Sequence, residues 1–152
     1  MDYSVTNADG VAVYQCKVPV FFGLVNAGFG NLWRWVRGLT VSQTAGEKTE
    51  VFVAKSMYAA FDPANIGEGM RKTCECPQRE GYIIKKSYEG LCCMPTSVGG
   101  STATYYCDYF WTNAATQTSL RVRAAGGYVG NVASAGASHS AAYHAASTTS
   151  AY

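Results

Sequence analysis

Short runs of β-forming residues alternate with turn-forming Gly, Pro and polar residues over the first 123 residues of the chain. Alternating apolar and polar positions, or a short apolar run bounded by turn residues, are typical of β-strands. The pattern predicts strands at residues 11–16, 20–25, 39–43, 50–54, 81–85, 102–111 and 119–123. Residues 31–37 fit either a short helix or a strand, because the period of their apolar positions is ambiguous.

One segment has the sequence signature of a helix start. Asp62 is a favourable N-cap residue, and Pro63, which follows it, is favoured at the first helical position. We expect a helix from here to Lys72. The sequence therefore predicts an α+β fold with short strands, one or two helices and long loops, and a length of 152 residues fits one domain.

The composition changes abruptly at about residue 124. All 12 basic and 10 acidic residues lie in 1–123, whereas 124–152 consists mostly of Ala, Ser and Gly. A flexible linker has such a composition, but scattered Tyr residues and both histidines of the chain argue against a linker. We therefore divide this single domain into a scaffold portion, 1–123, and a second portion, 124–152.

Charge and hydropathy exclude several classes of partner. The basic and acidic residues are interspersed and the net charge is +2, so the sequence shows no patch for nucleic acid or for an anionic membrane. The longest apolar stretch, 18–25, contains Pro19 and Gly23 and is too short to span a membrane. We expect no nucleic-acid partner and no membrane insertion.

The six cysteines do not have the spacing of a disulfide framework. Cys74, Cys76, Cys92 and Cys93 could offer four thiolates to Zn²⁺, but neither pair has the C-x₂₋₄-C spacing of a structural zinc site. Free, mostly buried thiols in a reducing cytosol are the favoured interpretation. The sequence thus predicts neither a metal nor a cofactor.

The sequence also lacks the signatures of an enzyme, since no nucleophile with a matching base and no G-x-S-x-G motif is present. Residues 124–152 contain no Asp or Glu, which disfavours a calcium site. Trp33 and Trp35 flank Arg34 and would form either a platform that stacks on a sugar or part of the packed interior. Packing is the favoured alternative for these two side chains.

Four motifs resemble the variable proteins of diversity-generating retroelements from gut Bacteroides and their phages. The motifs are LWRWVRG at 32–38, LCCMPT at 91–96, YYCDY at 105–109 and LRVRAAGG at 120–127, and the resemblance spans about 14–152. It implies a C-type-lectin-like fold, as in phage tropism determinants, with 124–152 as a hypervariable ligand-binding segment. Mutation of adenines in asparagine codons cannot produce Lys, Glu, Gln, Trp or Met, and 124–152 contains none of these.

The resemblance implies roles for individual residues of 124–152. Small residues would form a framework where the backbone turns or packs closely, at Gly126, Gly127, Ala135, Gly136 and Ala137. Side chains that face the ligand would be those of Tyr128, Asn131, Ser134, His139, Tyr143, His144, Thr148, Ser150 and Tyr152. Tyr supplies a large rigid surface, and Ser, Asn and Thr supply adaptable hydrogen bonds, as in antibody paratopes.

We therefore expect a receptor-binding protein at the tip of a phage tail, or otherwise on a bacterial cell surface. Its partners would be a host-cell surface protein or a glycan, together with other virion tail proteins, and homo-oligomers would raise weak affinities through avidity. The first residues lack the basic and apolar regions of a signal peptide, which favours the phage assignment. The alternative is a structural virion or surface-fibre subunit whose fixed small-residue tail packs against neighbouring chains.

Overall fold

The structure is a computed structural model. It describes residues 2–6, 9, 12–17, 20–21, 24–25, 33–56, 62–89, 92–104, 106, 108–127, 130–131, 136 and 138–145. The strands of this part of the chain are β1 (Asp2–Thr6), β2 (Ala12–Lys17), β3 (Val20–Phe21), β4 (Leu24–Val25), β5 (Arg34–Thr44), β6 (Lys48–Ala54), β7 (Met70–Glu75), β8 (Gly81–Ser87), β9 (Met94–Val98), β10 (Tyr109–Thr112), β11 (Ser119–Ala125) and β12 (Ser140–Ala142).

The fold is almost entirely β-sheet, and its principal sheet is curled into a half-barrel. Strands make up more than half of the described residues, and these residues form no α-helix. The predicted α+β, C-type-lectin-like fold with one or two helices is therefore wrong. The prediction failed where turn-forming residues were interpreted as a helix start.

The segment that begins at Asp62 forms a turn instead of a helix. The Asp62 side-chain Oδ1 accepts the Ala64 N–H at 2.9 Å, and its carbonyl oxygen accepts the Asn65 N–H at 3.1 Å. Asp followed by Pro suits the first two positions of a β-turn as well as a helix start. Gly67 and Gly69 then oppose helix propagation, and β7 begins at Met70.

Eight strands form the principal sheet, in the order β7-β6-β5-β11-β12-β10-β8-β9. The pair β10–β12 is parallel, and the other neighbours are antiparallel. Two small antiparallel hairpins, β1–β2 and β3–β4, precede this sheet in the chain. Strand β12 lies near the centre of the sheet, so part of the Ala- and Ser-rich segment is integrated into the fold rather than acting as a flexible linker.

The hydrophobic core lies on the inner face of the curled sheet. Alternate residues of the long strands point into it, as the period of two requires. The buried cluster consists of Leu39, Val41, Val51, Cys76, Ile83, Cys92, Met94, Val98, Phe110 and Ala142. The curl also brings the two edge strands, β7 and β9, into contact.

Long polar side chains hold the central strand β12 from the inner face. Gln43 is 1% exposed, and its Nε2 donates to Thr112 Oγ1 at 3.0 Å and to the Ala142 carbonyl at 2.7 Å. Arg123 is 7% exposed and donates to Ser140 Oγ from Nε at 3.2 Å and from Nη2 at 3.1 Å. Since β12 carries only small residues, these two side chains fill the space that larger residues would otherwise occupy.

Candidate functional site

Two tryptophans mark the ends of one row of paired residues across the outer face of the sheet. Trp35 of β5 pairs with Ala124 of β11, Ala124 pairs with Ala141 of β12, and Ala141 pairs with Trp111 of β10. Directly paired residues project to the same face of a sheet. Because the neighbouring Ala142 belongs to the core, this row faces away from it. Ala141 is small, so this row leaves space beside the ring of Trp111.

A groove of about 550 Å³ lies on this face, and we call it the aromatic groove. Its lining residues are Trp33, Glu80, Trp111, Asn131, Ala141, Tyr143 and His144. Four of them carry aromatic rings, and the small side chain of Ala141 forms part of the base. The volume falls within the roughly 300–1,000 Å³ of small-molecule sites. Trp111 is 37% and Tyr143 49% exposed, so both rings present surface to solvent.

Ring contacts fix the walls of the groove. The rings of Tyr143 and His144 meet edge to face with centroids 5.9 Å apart, and Trp35 packs against His144 at 5.2 Å. On the opposite side, Tyr109 packs against Trp111 at 4.7 Å. Such contacts orient aromatic side chains while leaving ring surface available to a ligand. The walls are therefore set before any ligand binds.

Tyr143 and His144, which form one wall of the groove, are anchored to β11 by hydrogen bonds to their carbonyl oxygens. The Val122 N–H donates to the His144 carbonyl at 3.0 Å, and Arg121 Nη1 donates to the Tyr143 carbonyl at 2.8 Å. Both acceptors are main-chain oxygens, which every residue type supplies. The side chains at 143 and 144 are therefore free to change without loss of these two bonds.

Glu80 supplies the carboxylate among the described residues that line the groove. Its Oε1 accepts the Thr112 N–H at 3.2 Å, which orients the side chain at the end of β10. The ion pairs formed by the described residues do not include Glu80. Together with the amide of Asn131, this carboxylate adds polar groups that can fix the orientation of a ligand in a mostly apolar groove.

The structure brings three of the predicted ligand-facing residues, Asn131, Tyr143 and His144, into the one groove. His139 is instead fully buried, with its ring 4.8 Å from that of Trp33. A fully buried ring does not face the groove, in contrast to the role that the resemblance implies for His139. Five other predicted contact residues lie outside the described residues: Tyr128, Ser134, Thr148, Ser150 and Tyr152.

The predicted framework glycines occupy positions where the backbone turns or packs closely. Gly126 and Gly127 have φ values of 94° and 73°, in the region that favours glycine. A β-carbon on Gly136 would lie 2.8 Å from Cγ of the buried Asp108. Ala135 and Ala137 lie outside the described residues.

Sequence reasoning missed Trp111, Glu80 and Ala141 as site residues. Trp111 alternates with the buried Phe110 and Thr112 in β10, which is the pattern of an outward-facing position. That alternation could have identified Trp111 as surface-facing. It could not have indicated that Trp33, which lies far away in the chain, lines the same groove.

The protonation of His144 provides a test of the groove geometry. Burial, and secondarily the charge of Arg121, lower the pKa of His144 from its ordinary value of 6.5. The unfolded chain therefore takes up this proton at higher pH than the folded chain, so stability should fall as the pH drops through 6.5. We expect NMR titration to give His144 a pKa below 6.5, and the His144→Gln variant to lose this part of the pH dependence.

The second histidine provides the control for that titration. The ring signals of His139 persist in His144→Gln, so the signals that disappear identify His144. A His144 pKa at or above 6.5 would mean that the ring lies in water and not against Trp35.

A metal site and a membrane-spanning helix are both absent from the part of the chain that the structure describes. No group of three or more His, Cys, Asp or Glu residues there is arranged to hold a metal ion. No helix among those residues has the length and apolar character needed to cross a membrane.

In comparisons with known proteins, no family model, no curated protein and no solved structure matches this chain.

Proposed function

We propose that this chain is a receptor-binding protein whose aromatic groove recognises a host-cell surface molecule, and that a retroelement diversifies residues of 124–152. The composition of the groove carries this proposal. Of the four predicted ligand-facing residues that the structure describes, three line one groove together with Trp33 and Trp111 of the scaffold portion.

The chemistry of the groove suits recognition rather than catalysis. Four aromatic rings offer large, rigid surfaces that bind at low entropic cost. The carboxylate of Glu80 and the amide of Asn131 add directional hydrogen bonds. A sugar ring, or a side chain of a surface protein, is the size of group that such a groove accommodates.

The division between fixed and variable residues follows from how each is held. Trp111 lies within β10, between two buried residues, so its backbone is constrained by the core. Tyr143 and His144 follow β12 and are held through their carbonyl oxygens. Substitution at 143 and 144 would reshape the groove while the sheet remains intact, which is what a diversified binding site requires.

We place this receptor-binding protein at the tip of a phage tail, or otherwise on a bacterial surface. The host partner would be a protein or a glycan, with other tail proteins as virion partners. Several copies would raise the modest affinity of a single groove through avidity. The resemblance of the four sequence motifs supports this placement.

The proposal predicts where substitutions accumulate among related isolates or phage progeny. We expect codons 131, 143 and 144 to vary at adenine-derived positions of a nearby template repeat. Codons for Trp33, Glu80 and Trp111, which line the same groove from the scaffold portion, are the matched control and should stay constant. Deep sequencing of the locus measures both sets at once.

The structural-subunit alternative makes the opposite prediction. If codons 131, 143 and 144 are as constant as those of the scaffold, the retroelement hypothesis is wrong.

A further inference from the structure

Cysteines from both edges of the curled sheet meet at the seam where β7 and β9 come together. Cys74 lies in β7, and Cys92 lies two residues before β9. Their sulfur atoms are 3.8 Å apart, although the residues are separated by 18 positions in sequence. Within the principal sheet, β7 and β9 are the first and last strands. Among the described residues, no strand pairing joins β7 to β9, so the two thiols lie in contact across an open seam of the sheet.

The surroundings hold Cys92 in place. It is 3% exposed, and its Sγ lies 3.7 Å from the Ser87 carbonyl oxygen. Its own carbonyl accepts a hydrogen bond from Arg123 Nη1 at 2.8 Å. These contacts fix the position of Cys92, so its sulfur stays beside the sulfur of Cys74.

Cys74 is the more accessible partner of this pair, and its surroundings make its thiol acidic. It is half-buried, whereas Cys76 and Cys92 are buried. A hydrogen bond from Cys76, and further ones from Cys92 and Thr73, outweigh burial and lower the pKa of the Cys74 thiol to about 6. The pKa of Cys76 is raised in turn by that hydrogen bond and by burial. Cys74 thus carries the thiolate that reacts with disulfides.

We propose that Cys74 and Cys92 form a thiol–disulfide exchange site that takes a small-molecule disulfide such as oxidised glutathione and links the two edges of the sheet. The Cys74 thiolate attacks one sulfur of glutathione disulfide, and one glutathione leaves as its thiolate. Cys92 loses its proton to solvent and attacks Cys74 Sγ, releasing the second glutathione. The two protein thiols are oxidised to one disulfide, and one glutathione disulfide is reduced to two glutathione molecules.

The resulting bond would close the half-barrel covalently. The bond joins β7 and the segment before β9, which are in contact but not paired as strands, so the sheet need not change. A disulfide stabilises the folded state because it restricts the conformations of the unfolded chain. The reaction is independent of what the aromatic groove binds. The disulfide would stabilise the fold when the protein passes from a reducing to an oxidising compartment.

The test uses the full chain, reduced and then incubated with oxidised glutathione. After quenching and alkylation, the chain is digested with proteases that cleave C-terminal to glutamate and to aromatic residues. Cleavage after Glu75 separates Cys74 from Cys76, and cleavage after Tyr105 and Tyr106 separates Cys92 from Cys107. Mass spectrometry should show Cys74 joined to the 92–93 peptide, with Cys76 alkylated. The melting temperature of the oxidised chain should rise by about 5–10 °C.

Two variants identify the partner of Cys74. Cys93→Ala keeps Cys92 and should form the same cross-link with the same rise in melting temperature. Cys92→Ala should lose both. The proposal is overturned if Cys74 joins Cys76, if it stops as a mixed disulfide with glutathione, if it stays reduced, or if Cys93→Ala abolishes the cross-link. The Cys93→Ala result decides the assignment even if Cys92→Ala fails to fold.

Discussion

The Gly136→Ala variant is expected to lose about 3 kcal/mol of folding free energy, a fall of roughly 6–12 °C in melting temperature. The added β-carbon would overlap the Asp108 carboxylate, whose Cγ would lie 2.8 Å away. That carboxylate is buried, and its Oδ2 accepts the Ser138 N–H at 2.7 Å. Its movement would break this bond, and movement of the 136–139 turn would displace the entry to β12. Thermal and urea denaturation measure the loss.

The Gly67→Ala variant is the matched control. A β-carbon at Gly67 meets no atom within 4 Å, so its effect should stay within about 0.5 kcal/mol. In an Asp108→Ala background the cost of Gly136→Ala should shrink, because the atoms that it overlaps are gone. If Gly136→Ala is as stable as Gly67→Ala, the 136–139 turn does not pack on Asp108.

The scaffold strands could be predicted because their residues alternate. Strands predicted at 39–43, 50–54, 81–85 and 119–123 are confirmed as parts of β5, β6, β8 and β11. Each places alternate residues against the core, as Leu39 and Val41 do in β5. Within the ambiguous segment 31–37, residues 34–37 belong to a strand, since β5 begins at Arg34 and continues past Gly38. Residues 31 and 32 lie outside the described residues.

Elements that depend on distant partners could not be predicted in this way. Strand β12 reads Ser-Ala-Ala, which has neither β-branched residues nor alternation. It forms because β10 and β11 offer it hydrogen-bonding edges. Of the predicted strand at 102–111, residues 109–111 belong to β10, whereas a turn occupies 102–104, where Thr104 Oγ1 donates to the Ser101 carbonyl.

The candidate site shows the same division. The resemblance indicated residues 131, 143 and 144, which are close in sequence to the change in composition. The opposite wall, Trp111 with Glu80, belongs to other strands and is brought there by sheet order. The resemblance also implies a ligand-facing role for His139, whereas this ring is fully buried and packs against Trp33.

Removal of the buried guanidinium of Arg123 should have the largest effect on β12. Arg123→Ala is expected to cost about 4 kcal/mol, roughly 8–16 °C in melting temperature, because the Ser140 hydroxyl and the Cys92 carbonyl lose charged donors and a cavity remains. Arg123→Met restores most of the volume, so about half of the loss should return. Hydrogen exchange should accelerate most at the Ala141 and Ala142 amides. If exchange there is unchanged, or if Arg123→Met is as unstable as Arg123→Ala, then Arg123 does not hold β12 in the way the structure indicates.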